Sequence, residues 1–92
     1  MNIDTVTLIS QIGSRNFLAI SGGRVNRVSD DTVVLPVAHG YRVAITLDAD
    51  DTYTVRRIFT RGAKSWIKWE RESVYADQVG EIAYRASCYL DA

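Results

Sequence analysis

The chain has 92 residues, of which 47 % are hydrophobic and 24 % are charged, and its formal net charge is zero. This length suits one domain with a core of marginal size, and the composition excludes a disordered tail. No apolar run approaches the roughly 18 residues that span a bilayer, and the N-terminus lacks a basic leader with a cleavage site. We therefore expect a cytoplasmic protein without membrane contact. The single cysteine, Cys88, has no second cysteine for an internal disulfide.

A short amphipathic helix is predicted near the start of the chain, over residues 4–12. Asp4 or Asn2 can cap its first turn, and Gly13 can end it. Four apolar side chains recur at helical spacing: Val6, Leu8, Ile9 and Ile12. The helix should therefore bury one face against the rest of the domain.

The next two elements are predicted to be strands. Asn16–Ser21 is a short apolar run closed by two glycines, and Thr32–Val37 places apolar side chains at alternate positions. Because proline has no N–H to donate to a neighbouring strand, Pro36 indicates that the second strand lies at an edge or ends near this residue. The polar segment 25–31 between them is expected to be a loop.

The middle of the chain is predicted to be a meander of three antiparallel strands. Residues 41–47 alternate apolar and polar side chains, and a similar alternation begins again at Tyr53 after the acidic turn 48–51. A second turn, around 61–63, leads into a third strand over 64–71. These segments therefore form two consecutive hairpins.

The clearest helix pattern lies at the end of the chain, where Ser73 can act as the N-cap. The apolar side chains fall within about 100° on a helical wheel: Tyr75, Val79, Ile82, Ala83, Ala86 and Leu90. The opposite side presents Asp77, Glu81, Tyr84 and Arg85. The predicted architecture is an α+β domain with a short N-terminal helix, an antiparallel sheet of about five strands, and an amphipathic C-terminal helix packed on one face.

Positive charge is concentrated between Arg56 and Arg71. These sixteen positions hold six basic residues and one acid, so the segment carries +5 and the remainder of the chain carries −5. The segment also contains both tryptophans. Such segregation creates a positive field that an acidic protein surface or nucleic acid would sense over about 8 Å at physiological salt.

The face on which each residue of this hairpin lies depends on the register of its turn. A three-residue turn at 61–63 pairs Thr60 with Lys64 and sets Arg56 opposite Lys68. The core face then holds Tyr53, Val55, Arg57, Phe59, Ile67 and Trp69, and its arginine must snorkel or pair with an acid. The outward side chains and the turn form the predicted partner-binding surface: Arg56, Arg61, Lys64, Trp66 and Lys68. A plainer interpretation, in which these cations confer solubility and protect an edge strand, stays open.

Other clusters have simpler explanations than catalysis or ligand binding. Asp48–Asp51 lacks the spacing of a calcium loop and fits a hairpin turn. No helix pattern follows Ser21–Arg24, as a phosphate-binding loop requires. Nothing in the sequence specifies a nucleophile or an orienting acid for His39, the only histidine. We therefore predict no catalytic residue, cofactor site or metal site, and we do not expect an enzyme.

Three segments of the chain carry a resemblance to a known group of proteins. They read LISQIGSRNFLAISGG near the start, YRVAITLDADDTYTV in the middle and ESVYADQVGEIAYRASCYL at the end. Together they resemble small uncharacterised proteins encoded by bacteriophages, prophages and plasmids, over nearly the whole chain. The resemblance implies a bacterial host cell as the context, but it brings no catalytic or binding residues with it.

Two functional hypotheses follow from the sequence. The first is a non-catalytic interaction protein, such as an anti-CRISPR-like inhibitor of host defence, that docks on a host protein or nucleoprotein complex. The second is a small nucleic-acid-binding module that uses the basic and aromatic hairpin, although the neutral overall charge disfavours it. The sequence leaves open which kind of acidic partner the hairpin contacts, and it leaves the oligomeric state open.

Overall fold

The computed structural model describes residues 2–88 as one layer of helices on an antiparallel sheet. The elements are α1 (Thr5–Ile12), α2 (Ser14–Ser21), β1 (Asn26–Arg27), β2 (Thr32–Pro36), β3 (Tyr41–Leu47), β4 (Tyr53–Arg61), β5 (Lys64–Val74) and α3 (Val79–Cys88). The five strands lie side by side in chain order, and each pairs antiparallel with the next. This arrangement confirms the predicted α+β class.

Helix α1 forms where the sequence predicts it. The carboxylate of Asp4 accepts hydrogen bonds from the backbone N–H groups of Val6 and Thr7, at 3.1 and 3.3 Å. The bond from Thr7 is the main cause of the lowered pKa of Asp4. At the other end, the N–H of Gly13 donates to Ile9 and the chain leaves the helix with a φ of 89°. The predicted cap and stop are therefore both used.

Helix α2 corrects the sequence prediction, which treated Asn16–Ser21 as a strand. Gly22 ends this helix in the left-handed conformation, with its N–H bonded to Leu18. A short apolar run fits either period, and the apolar residues Phe17 and Ile20 are three positions apart, which also places them on one helical face. That face packs against the common core, because Ile20 is buried and Phe17 is half-buried there. Tertiary packing therefore selects the helix.

The sheet has one face beneath the helices and an outer face, on which Val34, Ala44 and Thr54 are nevertheless buried. The side chains under the helices are fully buried: Val33, Leu35, Val43, Ile45 and Val55. They alternate along β2, β3 and β4, as the sequence predicted. Pro36 is the last residue of β2, in agreement with its missing donor. The predicted loop 25–31 contains the two-residue strand β1, which pairs with β2.

Helix α3 begins later than the sequence predicts. Strand β5 continues to Val74, which lies opposite Tyr53, so Ser73 belongs to the strand and does not cap a helix. Tyr75 lies outside α3 and is 60 % exposed. The other predicted apolar positions are buried: Val79, Ile82, Ala83 and Ala86. Leu90 lies outside the described residues, and Cys88 is exposed at the end of the helix.

The three helices meet at Gly80. A Cβ atom built there would lie 2.4 Å from the carbonyl oxygen of Ile12 and 3.1 Å from the amide nitrogen of Asn16. The same amide nitrogen donates to the Ile12 oxygen at 3.3 Å. Helix α3 therefore approaches the α1–α2 junction at a distance that only glycine permits.

Candidate interaction surface at the β4–β5 hairpin

The end of the β4–β5 hairpin is exposed on both of its strands. Every residue from 61 to 68 is exposed. We call residues 58–69 the hairpin tip, and this segment contains three basic residues and no acid. It also includes both tryptophans.

The turn at the hairpin tip differs from the predicted one. It has two central residues, Gly62 and Ala63, and it pairs Arg61 with Lys64 instead of Thr60 with Lys64. Gly62 has a φ of 62°. Glycine at the first position of a two-residue turn is a favoured arrangement, because the twist of such turns matches the twist of the strands. The predicted three-residue turn was therefore wrong.

A bulge at Lys68 then shifts the register a second time. Ile58 lies opposite Ile67, whereas Arg57 lies opposite Trp69, so Lys68 is the extra residue in β5. The extra residue places Trp69 on the helix-covered side of the sheet, where it packs against the core as predicted. Regular alternation, which the sequence analysis assumed, breaks at this position.

The new register exchanges the faces of Trp66 and Ile67. Trp66 lies opposite Phe59 on the same side of the sheet as the helices, and it does not lie on the outer face as predicted. Its side chain is nevertheless 43 % exposed, because it sits near the end of the hairpin. Ile67, predicted to be core, lies on the outer face and is 60 % exposed. Trp66 therefore keeps its access to solvent on a different face.

The basic residues of the segment differ in whether they form an ion pair. Arg56 lies opposite Glu70, and not opposite Lys68 as predicted; its Nε donates to the Glu70 carboxylate at 2.5 Å. Like-charge repulsion across the strands is thereby replaced by an ion pair. In contrast, Arg61, Lys64 and Lys68 are exposed, and within residues 2–88 none of them forms an ion pair. Arg71, which lies outside the hairpin tip, is also exposed and forms no ion pair within residues 2–88, so the segment's exposed cations without an ion pair are concentrated at the tip but not confined to it.

Arg57 is the internal member of the basic segment. It is 7 % exposed, and its Nη1 donates to the carbonyl oxygens of Ala86 and Ser87 at 2.6 and 2.9 Å. These carbonyls lie in the last turn of α3, where the negative end of the helix dipole favours a cation. Its guanidinium carbon also lies 3.9 Å from the centre of the Tyr41 ring. Arg57 thus joins the C-terminal turn of α3 to the sheet.

A row of aromatic rings crosses the sheet from β3 to β5. The ring centres of Tyr41 and Phe59 are 4.9 Å apart, and those of Phe59 and Trp66 are 5.9 Å apart with a 24° angle between their planes. The row begins beneath Arg57 and ends at the exposed indole. Tyr41 and Phe59 were not predicted to belong to this surface. The cross-strand pairing of these two residues in the predicted β3–β4 hairpin is the pattern that points to them.

The acidic turn 48–51 is stabilised by its own hydrogen bonds. Asp50 accepts from the hydroxyl and the N–H of Thr52 at 2.6 and 3.2 Å, and the hydroxyl bond is the main cause of its lowered pKa. Asp48 accepts from the Thr54 hydroxyl at 2.7 Å. The turn borders an open polar cleft of about 390 Å³ that also reaches Arg56 and Glu72. Within residues 2–88, no group of three or more His, Cys, Asp or Glu side chains is placed to hold a metal ion.

Comparison with protein-family models, curated proteins and solved structures finds no match to this chain. In the part of the chain that the structure describes, no helix is long and apolar enough to cross a membrane.

Proposed function

We propose that this protein is a non-catalytic interaction protein that docks its hairpin tip on an acidic surface of a host protein or nucleoprotein complex. The supporting observation is that the tip combines three exposed cations, none with an ion pair within residues 2–88, and an exposed indole. Arg61, Lys64 and Lys68 supply the charge, and Trp66 supplies the apolar contact. Binding needs both: charge directs the encounter, and a buried aromatic anchor slows dissociation.

The surroundings of Trp66 suit such an anchor. Its ring stacks on Phe59, which in turn contacts Tyr41, and Tyr41 lies under the guanidinium of Arg57. The row is held by a buried arginine that is itself hydrogen-bonded to α3. A supported side chain loses less conformational entropy on binding than a free one. The indole is therefore already close to a binding-competent orientation.

We further propose that the protein acts against a host defence system. The resemblance of three long segments to proteins of phages, prophages and plasmids supports a role inside a bacterial cell. Defence complexes that handle nucleic acid are highly charged, and an inhibitor can block them by contact alone. The exposed cations of the hairpin tip, Arg61, Lys64 and Lys68, give a positive surface for that purpose.

The proposal is tested by capture from host cells with tagged variants of equal charge. Lys64→Glu and Lys68→Glu each reverse a cation of the hairpin tip, and Arg15→Glu makes the same charge change on the exposed side of α2. We expect the wild type and Arg15→Glu to capture the same host complex, and both lysine variants to lose at least about 90 % of it. Equal capture by all four proteins would show that the hairpin tip is not the docking surface.

A further inference from the structure

We infer that the hairpin tip binds single-stranded nucleic acid, with a base stacked on Trp66 and phosphates held by Arg61 and Lys64. The inference rests on the proposed function, since it uses the same surface and names the part of a nucleoprotein partner that this surface contacts. Its basis is the juxtaposition of an exposed indole and two cations on one side of a two-stranded tip.

The register places the cations beside the ring. Arg61 lies opposite Lys64, and the next inward-facing pair along the hairpin is Phe59 and Trp66. Because side chains alternate along a strand, all four point to the same side of the sheet. Lys68, the bulge residue, is exposed two positions beyond Trp66. A planar surface flanked by cations is the arrangement with which proteins hold single strands without reading sequence.

Trp66 is the exposed end of the aromatic row. Phe59 stacks against Trp66 from the side of the row, at a centroid distance of 5.9 Å, and 43 % of the Trp66 side chain remains accessible. At the other end, Tyr41 is covered by Arg57 at 3.9 Å. The row therefore provides room for one base, stacked on the exposed indole in the way that aromatic side chains hold bases on sheet-based RNA-binding surfaces.

An unpaired strand fits this surface better than a duplex does. The indole can stack only on a base that has left its own stack, and a duplex presents phosphates without such a base. The charge distribution also limits the length of nucleic acid that can bind. The tip carries +3 and the whole chain is neutral, so the remainder of the chain is negatively charged. A long duplex would approach the acidic remainder of the molecule, whereas a short single strand need not.

A base-bearing strand also fits better than an acidic peptide. A polyglutamate segment would satisfy the three cations, but it has no planar group for the indole. Stacking of one base on an aromatic side chain contributes roughly tenfold to hundredfold in affinity. The contribution of Trp66 therefore distinguishes a nucleic acid from a ligand that is only acidic.

The experiment measures binding of a fluorescent fifteen-nucleotide oligo(dT) by anisotropy, from low to moderate salt, with four variants. We expect Trp66→Ala to weaken binding about tenfold or more, and Trp66→Phe, which keeps a ring on Phe59, to weaken it less. Ile67→Ala is the matched control, because it truncates an exposed apolar side chain on the opposite face; we expect less than a twofold change. Lys64→Ala should reduce the slope of log affinity against log salt by about 0.7, the value for one phosphate contact on a single strand.

Four results would overturn the inference. These are no binding of oligo(dT) at low salt, equal binding of a matched duplex, equal binding of polyglutamate, and equal affinity of Trp66→Ala and wild type when both melt cooperatively. If host capture still depends on Lys64 in any of these cases, the proposed function survives and only the nucleic-acid contact is wrong. If neither capture nor oligonucleotide binding depends on Lys64, both proposals fail.

Discussion

Replacing Gly80 by alanine tests the packing of the three helices, because two physical effects predict opposite signs. Glycine inside a helix is less favourable than alanine by up to about 1 kcal/mol, so helix propensity alone predicts that Gly80→Ala stabilises the protein. The structure predicts the reverse. The new Cβ would lie 2.4 Å from the Ile12 carbonyl oxygen, well inside the 3.0 Å that such contacts essentially always exceed.

The magnitude follows from what must move. The nearest atom belongs to the backbone of α1, so it cannot rotate away, and α3 must withdraw by more than 0.5 Å along this contact. Such overpacking costs about 1–3 kcal/mol. The Asn16 amide, 3.1 Å from the new Cβ, would also lose alignment with the Ile12 oxygen, at a cost of about 1 kcal/mol. After the gain in propensity, we expect a net loss of about 1–3 kcal/mol.

Thermal and urea unfolding of the purified protein provide the assay. For a domain of this size, each kcal/mol lowers Tm by about 4–8 °C, so we expect Gly80→Ala to melt at least about 4 °C below wild type. Ser10→Ala serves as the control: it raises helix propensity on the exposed side of α1 and should leave Tm equal or slightly higher. An unchanged or higher Tm for Gly80→Ala would refute the close approach of α3 to Ile12.

Three further predictions address the hairpin and the first helix. Arg57→Met should lower the free energy of unfolding by about 2–3 kcal/mol in urea, because the last carbonyls of α3 lose a charged donor; an unchanged midpoint would contradict the buried position. Ile67→Ser should leave the free energy of unfolding within about 0.5 kcal/mol of the wild-type value, and Trp69→Ala should lower it by about 2 kcal/mol or more. The register predicted from the sequence instead places both residues in the core. Asp4→Ala should lower Tm at pH 7 more than Asp4→Asn does. The folded-state pKa of Asp4 is lowered from 3.8, so the carboxylate stabilises the helix fully above that pH and loses this effect as the pH falls through the lowered pKa. The difference in Tm between Asp4→Ala and wild type should therefore shrink in acid. A difference that stays constant with pH would contradict this role of Asp4.

The two strands of the basic segment differ in how well local sequence patterns predicted them. In β4, Tyr53, Val55 and Arg57 lie on the buried side in the predicted alternation. In β5 the same reasoning was wrong for the faces of Lys64, Trp66 and Ile67, because a two-residue turn and a bulge each shift the pairing by one. A shift of one residue changes the face of a side chain, and nothing in the sequence of β5 alone marks where the extra residue lies.

The ion pairs of the segment depended on the same shifts. Under the predicted register, Arg56 faced Lys68, a like-charge pair that costs roughly a few tenths of a kcal/mol unless an anion relieves it. In the structure, Arg56 faces Glu70 and is neutralised within the sheet. Arg56 is therefore less available to a partner than the sequence indicated, and the tip cations supply a larger share of the positive charge that a partner can contact. This difference depends on how β4 and β5 pair at Arg56 and Glu70, several residues away from the turn.

Elements with strong local signals were predicted correctly from the sequence. Alternation defined β2, β3 and β4, an aspartate and a glycine bounded α1, and helical spacing identified the buried side of α3 from Val79 onward. Each of these patterns extends over only a few residues, and burial of the apolar face that it creates stabilises the predicted element.

Tertiary structure decided what local patterns left ambiguous. The apolar run of α2 fits two periods, and its contact with α1 and α3 selects the helical one. The Lys68 bulge lets Trp66 stack on Phe59 while Trp69 packs against the core. Both contacts depend on elements that are distant in the sequence. The candidate surface is therefore made from residues that the sequence displays, but its face, its free cations and its aromatic support come from packing between distant segments.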